Sequence, residues 1–394
     1  MSGVRELGTS AEQEMFELAS YAFNKEQSNE RRKRFHTLLE NSWNYGFFNK
    51  ENYLVSQVIA TPFPVNFHGR TYQMAGIGSV SSYPESRGQG AINKIMKQLL
   101  RDCREKGIAL SYLAPFSYPF YRRYGYELVF EKANYRVTAA DWPVVKQNYG
   151  QMIRCTLAEA IDKIDLVYKA MPIHHRGALE REEWWQAYKF QKDEKNKYAL
   201  YKDEENKTRG YIVYKMEGTR FHIVEWGYLD HHAFSSLVQF VGAHASSFQE
   251  IMYSCGDTGS GMNYLFASPL AEMQIVPEMM ARIVDLQKFI EEYPFQEAMP
   301  LEFSLEVTAD AYGEWNEGTY IVNITAGEAM IQKGEQPELP MIRGDIQGLT
   351  QLFLGYRSPE ELAFHEKIDS SDTYLIEQLT QVIPQQRPVL EDYF

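Results

Sequence analysis

The stretch GIGSVSSYPESRGQGAINKIMKQLLRDCREKG, residues 76–107, admits few folds. It opens as a strand, passes a turn holding Pro84, Arg87, Gly88 and Gly90, and continues as a helix. Ile92, Ile95, Met96, Leu99, Leu100 and Cys103 fall on one apolar stripe of that helix, while Lys94, Lys97, Arg101, Arg104 and Glu105 point elsewhere. The first turn of any helix leaves backbone N–H groups unpaired at the positive end of the helix dipole. Glycines placed there let a diphosphate approach the main chain. Alone, such a turn can serve only to redirect the chain. It lacks the Gly-Lys-Ser/Thr ending of a nucleotide-binding loop and the wider spacing of a dinucleotide fingerprint, which disfavours both of those ligands.

The flanking sequence predicts a mixed α/β domain around this unit. Ser10 precedes an amphipathic stretch carrying Met15, Phe16, Leu18, Ala19 and Phe23, and a second helical segment runs from Arg34 to Leu39. Two strand-like runs, 53–59 and 71–82, flank the turn at Phe67 to Arg70 and read as a hairpin. Past the helix, Gly107 is a stop signal, followed by strand patterns at 108–114 and 127–137.

At 394 residues the chain exceeds what one core usually serves, so two or three domains are expected. A middle region repeats the order strand (221–228), helix (233–244), strand (250–254) without a glycine-rich turn, which suggests a degenerate duplicate. The last hundred residues alternate Leu301, Phe303, Leu305, Val307, then turn at Asn316 to Gly318, then Tyr320, Val322, Ile324, a hairpin with one buried face. Helical segments at 348–354 and 372–379 follow.

A formal charge of −13 repels phosphate backbones and anionic membranes, so neither nucleic acid nor membrane is an expected partner. No basic-then-apolar leader and no run of apolar residues long enough to span a bilayer occurs, which makes the cytoplasm the expected location. Cys103, Cys155 and Cys255 lack zinc or redox spacing, and the pairs His174/His175 and His231/His232 lack a third ligand, so no metal is expected. Ser260 in GDTGSGMN has no nucleophile-elbow form. The run Glu180 to Trp185 reads as a helix start with a solvated acidic face, although Trp184 or Trp185 could wall a cavity.

The turn Arg87, Gly88, Gln89, Gly90, Ala91 resembles the cofactor motif of the GNAT superfamily of N-acetyltransferases, with Ile92 where that pattern has a small residue. Together with Pro84 to Ser86, the segment FYRRYGYEL, the chain length and the terminal Phe394, it looks like the enhanced intracellular survival (Eis) type. The resemblance implies tandem GNAT-like domains followed by a sterol-carrier-protein-like α+β domain. The regions would be 1–150 (acetyl-CoA-binding and catalytic), 151–288 (GNAT-like, without the cofactor motif) and 289–394 (sterol-carrier-like). It implies acetyl-CoA as cosubstrate, with Val80 and Ser82 offering main-chain contacts to the pantetheine arm. Arg87, Gly88, Gln89, Gly90 and Ala91 would surround the pyrophosphate. It also implies a small cationic amine as acceptor, aminoglycoside-like or a polyamine, and a homo-oligomer, a hexamer by resemblance.

Direct attack of an amine on the thioester, through a tetrahedral intermediate, needs a neutral amine, a stabilised oxyanion and a proton for the departing thiolate. Tyr121 matches the family's acid position; Tyr124 and Tyr126 compete with it, and all three can equally pack an aromatic core. The family uses its own C-terminal carboxylate as base, which here belongs to Phe394. An aromatic last residue can anchor a tail, or be incidental in a mobile one. An α-carboxylate has an ordinary pKa of about 3.5, low for accepting an ammonium proton without burial or a relaying water. Tyr393 stands where relatives carry an acidic residue, for which Asp392 could compensate. The competing expectation is a non-catalytic module that binds acetyl-CoA, or a lipid through the sterol-carrier-like domain.

Overall fold

Alternating apolar residues on either side of His68 and Gly69 build the longest pair of strands, and the rest of the N-terminal region assembles on them. The computed structural model describes residues 3–145, 150–259, 261–268 and 271–394. Its contacts divide the chain into one unit of residues 1–129, 279–388 and 393–394 and another of residues 130–278 and 389–392.

The first unit begins with β1 (Gly3–Leu7), α1 (Glu12–Ala22), α2 (Asn29–Glu40), β2 (Trp43–Phe48), β3 (Leu54–Phe67), β4 (Arg70–Ser82), α3 (Ala91–Glu105), β5 (Leu110–Leu113) and α4 (Tyr118–Arg122). The strands lie in chain order, antiparallel from β1 to β4, and β5 runs parallel to β4. That parallel pairing requires a crossover, which α3 supplies. Ile95, Met96, Leu99, Leu100 and Cys103 of α3 are fully buried against Val58, Ala60, Ala75 and Ile77, and such burial stabilises by roughly 1.5–3 kcal/mol per large side chain. An aspartate at Leu99 would bury an unpaired charge in this core. Gly107, at φ +74°, ends the helix as expected, its N–H bonded to the Arg104 carbonyl. Ser10 does not cap α1. A single tight turn over Thr9–Ala11, closed by the Ala11 N–H on the Gly8 carbonyl, precedes the helix instead.

The second unit takes most of β6 (Glu127–Thr138), then β7 (Gln151–Cys155), α5 (Leu157–Ala170), β8 (Arg176–Leu179), α6 (Glu183–Phe190), β9 (Lys197–Lys202), β10 (Thr208–Glu217), β11 (Arg220–Tyr228), α7 (His231–Gly242), β12 (Glu250–Cys255) and the start of β13 (Glu272–Ile283). Its strand order is β6-β12-β11-β10-β9-β7. β11, α7 and the parallel β12 repeat the crossover of β4, α3 and β5. Ser260 lies outside the described residues.

The C-terminal part of the first unit comprises α8 (Leu286–Glu291), β14 (Leu301–Val307), β15 (Gly318–Thr325), β16 (Glu328–Lys333), β17 (Met341–Gly344), α9 (Ile346–Phe353), α10 (Pro359–Phe364), β18 (Ile368–Ser370) and α11 (Thr373–Val382). Its sheet order is β16-β15-β14-β17-β18. β14 and β15 form the expected hairpin, but Asn316 is not an exposed turn residue. It is buried, donating to Asp310 Oδ2 at 2.9 Å and to the Val284 carbonyl at 3.1 Å, and accepting from the Leu286 N–H at 3.0 Å.

Candidate active site

The site is built around an interruption in β4. Ile59 pairs with Gly78 but Gln57 pairs with Ser81, so β4 carries one extra residue, and Ser79 takes φ +51° to accommodate it. A bulge of this kind leaves main-chain groups out of the ladder and re-aims the strand. It sits at Ser79–Val80 and so includes Val80 and lies two residues before Ser82. No sequence pattern marks it, since a serine is an ordinary strand residue.

Beyond the bulge, Pro84–Ser86 make a single tight turn, and Gly88 and Gly90 follow at φ +77° and +75°. These are conformations that L side chains rarely adopt. Gly90 is the N-cap of α3 and has no side chain to fill the helix N-terminus. A Cβ built on Gly88 or Gly90 would meet no atom within 4 Å. The turn is therefore open over the first N–H groups of α3, and it fits a diphosphate. The Gln89 amide donates to the Glu85 carbonyl at 3.0 Å and braces the turn, and the Arg87 side chain is exposed. Ile92, the departure from the motif, packs on the α3 core.

The equivalent place in the second unit is closed. Asp230 caps α7, its carboxylate accepting the Ala233 N–H at 2.8 Å, so the helix N-terminus already holds an anion. An aspartate three residues before Ala233 is a readable cap signal, and it explains physically why this copy of the crossover has no anion seat.

The three tyrosines after β5 separate by their partners. Tyr126 shares a 2.7 Å hydrogen bond with Ser111 Oγ, and Tyr124 donates to Asn93 Oδ1 at 2.6 Å. Tyr121 has neither: among the described residues its hydroxyl makes no hydrogen bond. Its ring is buried edge-on to Phe116 and Phe120, with centroids 5.4 and 5.1 Å away. Burial, then the neighbouring Tyr126 and Tyr124, push the Tyr121 hydroxyl above the ordinary tyrosine range. Arg282, itself fully buried, donates to the Tyr124 carbonyl at 2.5 Å and to Asp310 at 2.7 Å, bracing the turn that follows Tyr121.

Phe394 is packed against the same strand as the bulge. Its ring lies 5.4 Å from that of Phe63, and a Cβ at Gly76 would sit 2.7 Å from it. Its carboxyl carbon lies 3.3 Å from where a Cβ of Gly78 would stand. A glycine at both positions makes room for the chain end.

Within the second unit, residues 389–392 are held by an internal network that the sequence reading missed. Arg181, expected on a solvated face, is buried. Its Nε donates to both Asp392 oxygens at 3.1 and 3.0 Å, and its two terminal nitrogens donate to Glu225 at 2.8 and 2.7 Å. Trp185 is buried and donates to Asp392 at 3.0 Å. Burial alone would raise the Asp392 carboxyl, but Arg181 and Lys189 hold it below its usual range. Asp392 is thus consumed by an ion pair and is not a free acidic group for an acceptor. His174 is likewise structural, stacked on Tyr168 and pushed down to about 4 by burial. Among the described residues no three His, Cys, Asp or Glu side chains are placed to hold a metal, and no helix is long and apolar enough to cross a membrane.

Residues 3–129 match the acetyltransferase (GNAT) domain, residues 177–283 match a second acetyltransferase (GNAT) domain, and residues 286–391 match the sterol carrier protein domain. With the open glycine turn on the first of these domains, they make the chain an N-acetyltransferase. No curated protein matches it. A conserved protein of Enterococcus faecalis V583, described as a probable N-acyltransferase, is 45% identical over the whole of both chains with a TM-score of 0.96. The fold is shared at lower identity with a GCN5-related N-acetyltransferase of Anabaena variabilis (21%, both chains fully covered, TM-score 0.88) and with Eis1 of Mycobacterium abscessus (16%, both fully covered, TM-score 0.81). The chain belongs to the GNAT acetyltransferases, in a tandem-domain form that ends in a sterol-carrier-like domain.

Proposed function

We propose that the chain transfers an acetyl group from acetyl-CoA to a primary amine of a small cationic molecule, aminoglycoside-like or a polyamine. Acetyl-CoA supplies the acetyl group as an activated thioester. Gly88, Gln89, Gly90 and Ala91 offer main-chain N–H groups at the α3 N-terminus to its diphosphate, with Arg87 as an exposed counter-charge. Val80 and Ser82, around the bulge, offer main-chain groups to the pantetheine arm. Tyr121 donates a hydrogen bond from its hydroxyl to the negative charge forming on the departing sulfur, and the Phe394 carboxylate takes the ammonium proton, directly or through a water.

The observation that carries this reading is the seating of Phe394, with its ring against Gly76 and Phe63 and its carboxyl carbon against Gly78 at the edge of the bulge. Most chain termini have no such seat. The partnerless hydroxyl of Tyr121, beside two satisfied tyrosines, supports it further.

The test is CoA-thiol release from acetyl-CoA across aminoglycosides, polyamines and lysine peptides. Tyr121→Phe is expected to lower kcat by about 10²–10⁴-fold while leaving acetyl-CoA affinity nearly unchanged, because a leaving-group acid acts in the transition state. An unchanged kcat removes Tyr121 from the mechanism, and no release with any amine removes the acceptor class.

A further inference from the structure

The second unit contains a cavity of about 50 Å³ that acetyl transfer does not use. Trp226, Tyr228 and Tyr253 line it, with Trp226 edge-on to Tyr228 (centroids 6.1 Å apart) and tilted against Tyr253 (5.2 Å). Glu225, Asp257 and Glu391 also line it, and no lysine or arginine does. Glu225 is already taken by Arg181 and Lys189, and Asp257 faces Arg176 at 4.0 Å and accepts the Gly259 N–H, which leaves Glu391 as the distinctive group.

The Glu391 carboxylate accepts one hydrogen bond, from the Gly256 N–H at 2.7 Å. Its two cationic neighbours are engaged elsewhere, Lys132 with Glu278 at 3.0 Å and Lys189 with Glu225 and Asp392. Among the described residues no basic side chain comes within ion-pair distance of it. A part-buried carboxylate without a counter-ion in contact is costly, and a cation entering the cavity would relieve that cost. Aromatic walls favour the same charge through their π faces.

Size narrows the cation. One water needs roughly 10–15 Å³ of such space, so the cavity holds an ammonium head with a carbon or two but no quaternary ammonium group. The exposed Ser254 at its rim leaves a way out for an alkyl chain.

We propose that this cavity is a binding pocket for a primary alkylammonium group, with Glu391 as its counter-charge and Trp226, Tyr228 and Tyr253 as its walls. The proposal goes beyond the acetyl-transfer reading and does not rest on it. The experiment titrates the full-length protein at about pH 8, where Glu391 has given up its proton and an alkylamine still carries its own, with ¹³C-methylammonium, followed by NMR line broadening, against tetramethylammonium at matched ionic strength. Wild type is expected to show saturable methylammonium binding and none of tetramethylammonium. Glu391→Gln, which keeps the acceptor for Gly256, should bind about tenfold more weakly, the equivalent of one lost charged contact. Tyr228→Leu, at a half-buried wall position that keeps the fold independent of the Glu391 change, should weaken binding about fivefold. Absence of saturation in wild type, equal binding by Glu391→Gln, or equal binding of the two cations would each overturn the proposal.

Discussion

Gly76→Ala tests the terminal carboxylate without altering any group that carries charge. A Cβ at this position would lie 2.7 and 2.8 Å from two ring atoms of Phe394 and 3.0 Å from Phe63. Carbon atoms rest about 3.5–4.0 Å apart, so something must retreat by about 1 Å. The strand cannot, because Gly76 is paired with Thr61 on one side and Tyr112 on the other. Phe63 is fully buried, which leaves the end of the chain as the softest neighbour. Displacing a reacting group by about 1 Å costs on the order of 10²-fold in rate. Overpacking costs about 1–3 kcal/mol, and a terminus that can slide outward puts this case at the lower end. The assay is steady-state CoA release at saturating acetyl-CoA with the best amine from the panel, alongside a melting curve. Expected is a kcat about a hundredfold lower, an unchanged KM for acetyl-CoA, and no further loss when Phe394 is also deleted, since both changes remove one function. A folded Gly76→Ala protein with wild-type kcat would refute the assignment of the base.

Three other outcomes follow from the same geometry. Gly90→Ala forces an L residue to φ +75° and is expected to cost about 1–2 kcal/mol of local strain and to raise the KM for acetyl-CoA more than it lowers kcat, checked by initial-rate kinetics. Arg181→Met leaves Glu225 and Asp392 buried without their main cation and is expected to cost about 3–5 kcal/mol, read by calorimetry, whereas Arg122→Met, which loses a half-exposed pair with Glu127, should cost under about 1 kcal/mol. Glu391 is raised from 4.5 to about 7 by burial, opposed by Lys132, Gly256 and Lys189 and reinforced by Glu225. The folded protein therefore holds that proton more tightly than the unfolded chain, and this contribution is full below about 4.5 and lost as pH rises through about 7. The loss is about 3 kcal/mol across that window, and urea melts at its two ends should show a drop that Glu391→Gln removes.

What could be read from the sequence was what local rules decide. The α3 stripe, the stop at Gly107 and the close approach to the main chain that Gly88 and Gly90 allow are consequences of helix periodicity and of glycine's missing Cβ, so they stand in the residues themselves. The repetition of the crossover by β11, α7 and β12 was equally visible. Arg181 was not, because its neighbours Glu180, Glu182 and Glu183 look solvated and its partners lie 44 and 211 residues away. Asn316 misled for a related reason. An asparagine two residues before a glycine signals a turn, but here it fills the polar requirements of the Val284–Leu286 backbone. Nor can FYRRYGYEL say which tyrosine is unoccupied, since that depends on Asn93 and Ser111 arriving from other elements.

The environment of Tyr121 also bears on how it would act. A thiol's ordinary pKa is about 8.5, and burial moves the tyrosine hydroxyl further above that value, not closer. Complete proton transfer from Tyr121 to the departing sulfur is then uphill. What the phenol offers at low cost is a hydrogen bond to negative charge as it forms, from a ring that is itself buried edge-on to Phe120. The same raised pKa keeps the hydroxyl protonated through the alkaline range in which an amine near pKa 10.4 becomes neutral by itself. On the proposed assignment, donor and acceptor can therefore be ready at one pH, and the terminal carboxylate matters most below it, where the amine still carries the proton that must be removed.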